Sequence, residues 1–147
     1  MSTPLSERET VAQILQSCRT VAVVGLSPKP HRASHEVAAY MKRQGWRIVP
    51  VNPNAREVLG EKAYASLPEA AAALAAQGQR IDLVDCFRNS DDIPPIAGQA
   101  IAIGARALWM QLGITNEAAA ASARTAGLLV VQDRCLKVDH AALARQG

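Results

Sequence analysis

Aromatic side chains are scarce in this chain of 147 residues: two Trp, two Tyr and one Phe, at Tyr40, Trp46, Tyr64, Phe87 and Trp109. Core bulk must therefore come from Val, Leu, Ile and many alanines. The net charge is only +3, and acids and bases alternate along most of the chain. A nucleic-acid binder shows a basic stripe with interleaved aromatics; none is present, and no nucleic-acid partner is expected. No apolar run approaches the ~18–20 residues needed to cross a bilayer, so no membrane association is expected. The opening MSTPLSERETVAQ has no apolar core of a signal peptide and carries acids early, so a cytoplasmic location is expected.

Cysteines are few, odd in number and far apart: Cys18, Cys86 and Cys135. A disulfide framework is not expected. His31, His35 and His140 are the only histidines, and none pairs with a cysteine at zinc-type spacing, so no metal site is predicted. G-x-S-x-G elbows, Walker loops and H-E-x-x-H motifs are all missing. Asp82 and Asp85 are three apart on a predicted strand, which puts them on opposite faces. No catalytic residues are assigned.

What is present is a regular alternation. Ser6 followed by Glu9 is a capping-box pattern that opens a helix to about Cys18. TVAVVGL is a continuous apolar run, the mark of a strand covered on both faces, and Ser34 caps a helix that stops at Gly45. WRIVPVNP is a second strand, and Ser66 with Glu69 caps a helix running to Gly78. IDLVDCF is a third strand. Pro94 and Pro95 suit the first turn of the next helix, and Asp91 and Asp92 suit its dipole. ALWMQLGI, a helix from Asn116 to Ala126, and LLVVQ complete the pattern. The length fits one domain over residues 1–147.

Strands alternating with helices imply parallel βαβ units. The predicted fold is α/β, a Rossmann-like doubly wound parallel sheet of about five strands in the order 3-2-1-4-5, with helices on both faces. Ligands of such sheets sit at the carboxyl ends of the strands, near the switch point, here expected between strands 1 and 4. Four loops are thereby selected.

The first loop follows Gly25. A dinucleotide fingerprint uses G-x-G-x-x-G so that bare backbone can approach pyrophosphate, but here Gly25 stands alone, and Pro28 and Pro30 each remove a backbone donor. Anion affinity falls to Lys29, Arg32, the hydroxyls of Ser27 and Ser34, and the helix N-terminus. Such charge suits a ligand with more phosphate than NAD carries. NAD-binding sheets commonly end strand 2 in an acid that takes the ribose hydroxyls; this chain has Asn52, which disfavours NAD and leaves NADP or another ribose-phosphate ligand open. A proline-directed turn also favours Asn and needs no ligand. The third loop offers Phe87 and the phosphate-binding fork of Arg88. The fourth offers the amide of Gln111 and, at Gly113, close access to backbone. Cys135 beside Arg134 is the candidate for a reactive thiol.

The segments VAVVGLSPKPHRASHEVAAYM, GWRIVPVNPN, IDLVDCFRNS, IAIGARALWMQLGI and VVQDRC together resemble the small stand-alone CoA-binding proteins of bacteria. These are similar to the CoA-binding N-terminal domain of the succinyl-CoA synthetase alpha subunit. The resemblance runs from about Thr20 to Val138 and implies coenzyme A as ligand. It puts the phosphate loop on Gly25, Ser27, Lys29, Arg32 and Ser34. The turn that meets the adenosine part falls on Val51, Asn52 and Pro53, a wall on Phe87 and Arg88, and a further turn on Gln111, Leu112 and Gly113. The synthetase's phosphohistidine domain has no room in this chain, so ligase activity is not implied. The expected function is non-catalytic binding of CoA or an acyl-CoA, as carrier, sensor or partner of a larger acyl-CoA enzyme. The alternative is an NAD(P)-dependent oxidoreductase or redox sensor on the same fold. A weaker idea is a mixed disulfide between the CoA thiol and Cys135 or Cys86.

Overall fold

The computed structural model describes residues 3–146. Helix α1 (Glu7–Ser17) leads into β1 (Thr20–Val24), α2 (Ala33–Arg43) and β2 (Arg47–Val51). A short antiparallel hairpin, β3 (Glu57–Val58) and β4 (Glu61–Lys62), precedes α3 (Leu67–Ala76) and β5 (Leu83–Cys86). Then come a 3-10 turn at Ser90–Asp92, α4 (Ile93–Ala102), β6 (Ala107–Met110), α5 (Glu117–Thr125), β7 (Leu129–Val131) and α6 (Leu136–Gln146). The capping box is present at α1: Ser6 Oγ accepts from Glu9 N at 3.1 Å, and the Glu9 carboxylate accepts from Ser6 N at 3.0 Å. Ser66 and Asn116 cap α3 and α5 through their side-chain oxygens alone, accepting from Glu69 N and Ala119 N. The hairpin and α6 are additions to the expected elements.

The five long strands form one parallel sheet in the order β2-β1-β5-β6-β7. The α/β class, the parallel sheet and helices on both faces agree with the sequence reading; the order does not. Numbering the five strands along the chain, it is 2-1-3-4-5, not 3-2-1-4-5, because the third strand pairs with β1 and leaves β2 at the edge. Pro50 is the physical reason that β2 sits there. It has no N–H to give a second neighbour, so proline belongs on edge strands. Its carbonyl faces outward and accepts from Tyr64 N at 3.0 Å, while Asn52 N donates to Tyr64 O at 2.8 Å. One short stretch of chain thus closes that edge.

Right-handed crossovers then fix the faces. From β1 to β2 the chain moves one way across the sheet and carries α2 on one face. From β2 to β5, β6 and β7 it moves the other way and carries α3, α4 and α5 on the opposite face, while α1 and α6 complete the α2 face. Alternate strand residues feed the two layers: Val21, Val23, Leu83 and Trp109 pack toward α1, α2 and α6, and Ala22, Val24, Val84 and Leu108 toward α3, α4 and α5. Ala97, Ala100, Ala119, Ala120 and Ala123 are buried in this second layer, where their small side chains let α4 and α5 approach closely. That is where much of the alanine goes.

Asp82 and Asp85 part company as expected of opposite faces, although Asp82 lies just before β5. Its carboxylate accepts from Arg19 N at 2.9 Å and Thr20 N at 3.0 Å, which pins the start of β1. Asp85 is on β5 itself, between Val23 and Trp109 in the neighbouring strands. It is fully buried, and neither carboxylate oxygen has a hydrogen-bond partner. Desolvation pushes its carboxyl well above the usual range, so the folded protein holds a proton there that the unfolded chain releases above a pKa of about 3.9. Stability is therefore lost as pH rises from the unfolded toward the folded pKa, by up to about 1.4 kcal/mol per pH unit. Urea unfolding of the wild type and of Asp85→Asn at pH 5 and pH 8 checks this: the variant gains on the wild type as pH rises. A constant difference between the two proteins would contradict it.

Candidate functional site

The observed strand order puts the carboxyl ends of β1 and β5 side by side, and the chain diverges there in opposite directions. The switch point is thus between strands 1 and 3, not 1 and 4. Gly25 sits at this junction with φ +89°. Its N–H donates to Val51 O at 2.9 Å, and a Cβ on it would lie 2.5 Å from the backbone oxygen of Phe87 and 3.1 Å from Arg88 Cδ. The one glycine kept from the usual phosphate loop is required by the neighbouring strand end.

Beyond Gly25 the loop is tied to itself. Ser34 is buried, and its Oγ accepts from Ser27 N at 3.0 Å; Ser27 Oγ accepts from Lys29 N at 3.1 Å. Helix α2 begins one residue before the expected cap. Arg32 occupies the cap position, and no side chain satisfies the helix end. Ser34 is not the N-cap: its hydroxyl is spent holding the loop from inside the first turn. The first-turn amides of α2 are left without intrahelical partners, a positive end that favours anions. A cleft of about 360 Å³ opens on it, lined by Gly25, Ser27, Lys29, Arg32, Ala33, Ser34 and Phe87.

A second cleft of about 520 Å³ lies on the other side of Gly25, over α3 and α4. It is lined by Val51, Asn52, Pro53, Phe87 and Arg88 among the expected residues, and by Ser66, Asp91, Asp92, Pro95 and Gln99 among those not expected. Asn52 is held at both ends. Its Nδ2 donates to Leu26 O at 2.9 Å, and its Oδ1 accepts from Asn54 N at 2.8 Å. An amide is required here because a carboxylate has nothing to donate to the carbonyl. The acid missing from the end of β2 is supplied from across the cleft by Asp91 and Asp92, the latter 3.6 Å from the Arg88 guanidinium. Carboxylates in that place accept from hydroxyl or amino groups and repel phosphate.

A third cleft of about 410 Å³ is lined by Phe87, Arg88, Asn89, Ser90, Gly113 and Ile114. Phe87 lines all three clefts, and the only Phe of the chain is their common wall. Gln111 lines none of them: it is buried, and its Oε1 accepts from Leu136 N at 3.1 Å, tying β6 to α6. Leu112 lines none either, and is 66 % exposed at the tip of its turn. The strand-end residues were found from the pattern; the contributions of α4 were missed, because they follow from β5 lying next to β1. Pro50 was the available signal for that placement.

The thiols fare differently. Cys86 is fully buried, and burial pushes its pKa well up; it points into the core beneath the clefts and is not a partner for a ligand thiol. Cys135 is half-buried at the start of α6. The Arg134 guanidinium beside it is bound to Asp139 at 2.7 and 2.8 Å and to Glu7 at 2.6 Å, so its charge is already matched. A wider cleft, about 690 Å³ between α1 and α6, is bordered by this same ion-paired group, and its cations among the described residues are Arg8 and the ion-paired Arg134. Among the described residues, no group of three His, Cys, Asp or Glu side chains is arranged to hold a metal ion.

The sequence pattern of the family described as "CoA binding domain" matches residues 19–141. Protein YneT of Bacillus subtilis (strain 168) is 40% identical over 131 residues, 89% of this chain and 92% of that protein. A hypothetical protein from Pyrococcus horikoshii OT3 superposes with a TM-score of 0.83 at 33% identity, covering 98% of this chain and 99% of the other. A protein from Thermus thermophilus superposes with a TM-score of 0.80 at 31% identity, covering 95% and 99%.

Substituting Gly25 tests the junction. Gly25→Ala is expected to destabilise the fold by about 1–3 kcal/mol, the usual cost of a non-glycine residue forced into such backbone, since a backbone oxygen has nowhere to go. Denaturant unfolding of the variant measures it; a loss below ~0.5 kcal/mol would mean that the two strand ends separate easily.

Proposed function

The chain belongs to the CoA-binding domain family, and from that membership we propose that it binds coenzyme A reversibly and without catalysis at the carboxyl edge of the sheet. The observation that carries this reading is the uncapped N-terminus of α2, opening with Lys29 and Arg32 on one cleft. A diphosphate takes up the first-turn amides and both cations. The amides of Ser27 and Lys29 are already satisfied by hydroxyls, so side-chain charge carries more of the load than in a glycine-rich loop. The adenine takes the cleft at Val51, Asn52 and Pro53, where Asp91 and Asp92 accept from its amino group, and the ribose with its phosphate turns toward the cationic α2 side. Phe87 and Arg88 divide the two. Val51 and Pro53 contribute shape, and Asn52 keeps the two loops in register.

This ligand also fits the charge arrangement. CoA has a diphosphate and a further phosphate on its ribose, and the α2 side of the site is the cationic side. Gln111 and Leu112 hold no phosphate in this reading, while Gly113 borders the part of the cleft beyond Phe87. A role as carrier, sensor or partner of an acyl-CoA enzyme follows from binding without catalysis.

Titration calorimetry with CoA, dephospho-CoA and NAD is the test. CoA is expected to bind best. Lys29→Ala and Arg32→Ala should each weaken CoA binding by about 1.5–3 kcal/mol, the scale of hydrogen bonds to charged groups, with little change in melting temperature. The deficit should shrink in high salt, because exposed charges are screened within about 10 Å at 0.1 M. NAD binding as tight as CoA, or unaltered CoA affinity in both variants, would sink the reading.

A further inference from the structure

Helix α4 turns one stripe of its surface into the cleft on the β2 side. Asp92 at its cap position, Pro95, Ile96 and Gln99 all line that cleft, at the three- and four-residue spacings that share a helix face. Bonds within the fold engage most of the cleft's polar side chains. Asn52 is held at both ends, the Ser27 and Ser66 hydroxyls accept from Lys29 N and Glu69 N, and Arg88 lies 3.6 Å from Asp92. Two amide side chains that line the cleft make no hydrogen bond to the described residues, those of Asn54 and Gln99. Asn54 is exposed on the turn beyond Pro53, whereas Gln99 is half-buried on α4.

Without that amide the α4 side of the cleft offers a purine acceptors and no donor, since ionised Asp91 and Asp92 only accept. The edge of adenine has an amino donor flanked by ring nitrogens that accept. Carboxylates satisfy the amino group and leave the ring nitrogens unmet. Gln99 supplies the missing donor. Helical side chains lean toward the helix N-terminus, which carries the Gln99 amide past Pro95 toward the two carboxylates. A glutamine amide holds a donor and an acceptor side by side, and pairs with adenine through both. Resting on the CoA reading above, we infer that Gln99 is the specificity residue of the site: its amide pairs with the amino edge of adenine, so that the cleft selects its ligand by base as well as by phosphate.

Calorimetry on the full chain with CoA and etheno-CoA tests this separately from CoA binding. The added ring of etheno-CoA blocks the adenine amino group and the neighbouring ring nitrogen, and leaves the phosphates and the arm as they are. The wild type should bind CoA at least about tenfold tighter, the scale on which a bidentate amide discriminates between bases. Gln99→Met keeps an unbranched side chain of similar length and removes both polar atoms. In that variant the ratio should fall to within about threefold, chiefly because CoA binds less tightly, with the melting temperature unchanged because Met is as good a helix former as Gln. Lys29→Ala should weaken both ligands alike and leave the ratio standing. Equal affinity of the wild type for the two ligands overturns the inference. So does a tenfold ratio that survives in Gln99→Met, which would mean that bulk alone excludes the added ring. Failure of both ligands to bind overturns the CoA reading beneath it.

Discussion

Right-handed crossover is the constraint on which the rest of this structure depends. Once Pro50 keeps β2 at an edge, the chain must return past β1 to place β5, and that return reverses its direction across the sheet. The reversal sends α2 to one face and α3, α4 and α5 to the other. It also leaves a gap above the adjoining ends of β1 and β5 where no helix passes. Gly25 and Phe87 approach most closely at that gap, since a Cβ on Gly25 would lie 2.5 Å from the Phe87 oxygen. Every cleft of the candidate site borders Phe87.

The two faces meet the gap with opposite charge. From the start of α2 and the loop before it come Lys29, Arg32 and the free first-turn amides; from the turn that leads into α4 come Asp91 and Asp92. A ligand lying across the junction meets cations on one side and hydrogen-bond acceptors on the other, and this polarity selects its orientation as well as its class. Helix dipoles strengthen the first side, because a positive helix end left without a side-chain cap is available to an anion. The helices capped by Ser6, Ser66 and Asn116 have already satisfied part of theirs.

Polar side chains hold the loops to one another, and this is why several of them are not free for a ligand. Ser34 binds the Ser27 amide, Asn52 spans Leu26 and Asn54, Gln111 reaches Leu136, and Asp133 holds Gly113. Each supplies a bond that backbone alone could not, and the groups they fix are preorganised before any ligand arrives. Asp85 stands apart from this network: buried between Val23 and Trp109 with no partner, it breaks the rule that buried polar groups are satisfied.

Hydrophobic runs of strand length, alternating with capped helical segments, determined by themselves that the chain is a parallel α/β fold, and Ser6, Ser66 and Asn116 placed three helix starts. The same pattern located the strand ends, hence Gly25, Lys29, Arg32, Val51, Asn52, Phe87, Arg88 and Gly113, because in a parallel sheet all carboxyl ends lie on one edge. Strand order was decided at the tertiary level, since many orders satisfy the same hydrophobic pattern; only the missing N–H of Pro50 spoke locally to it. That order brought Asp91, Asp92 and Gln99 to the β2-side cleft from a turn and helix distant in sequence. Tertiary contacts also separated side chains that face the cleft from those turned into the fold. Ser34 and Gln111 look free in sequence, but a hydroxyl or amide bonds to whichever backbone group the packing presents, and here those groups are Ser27 and Leu136.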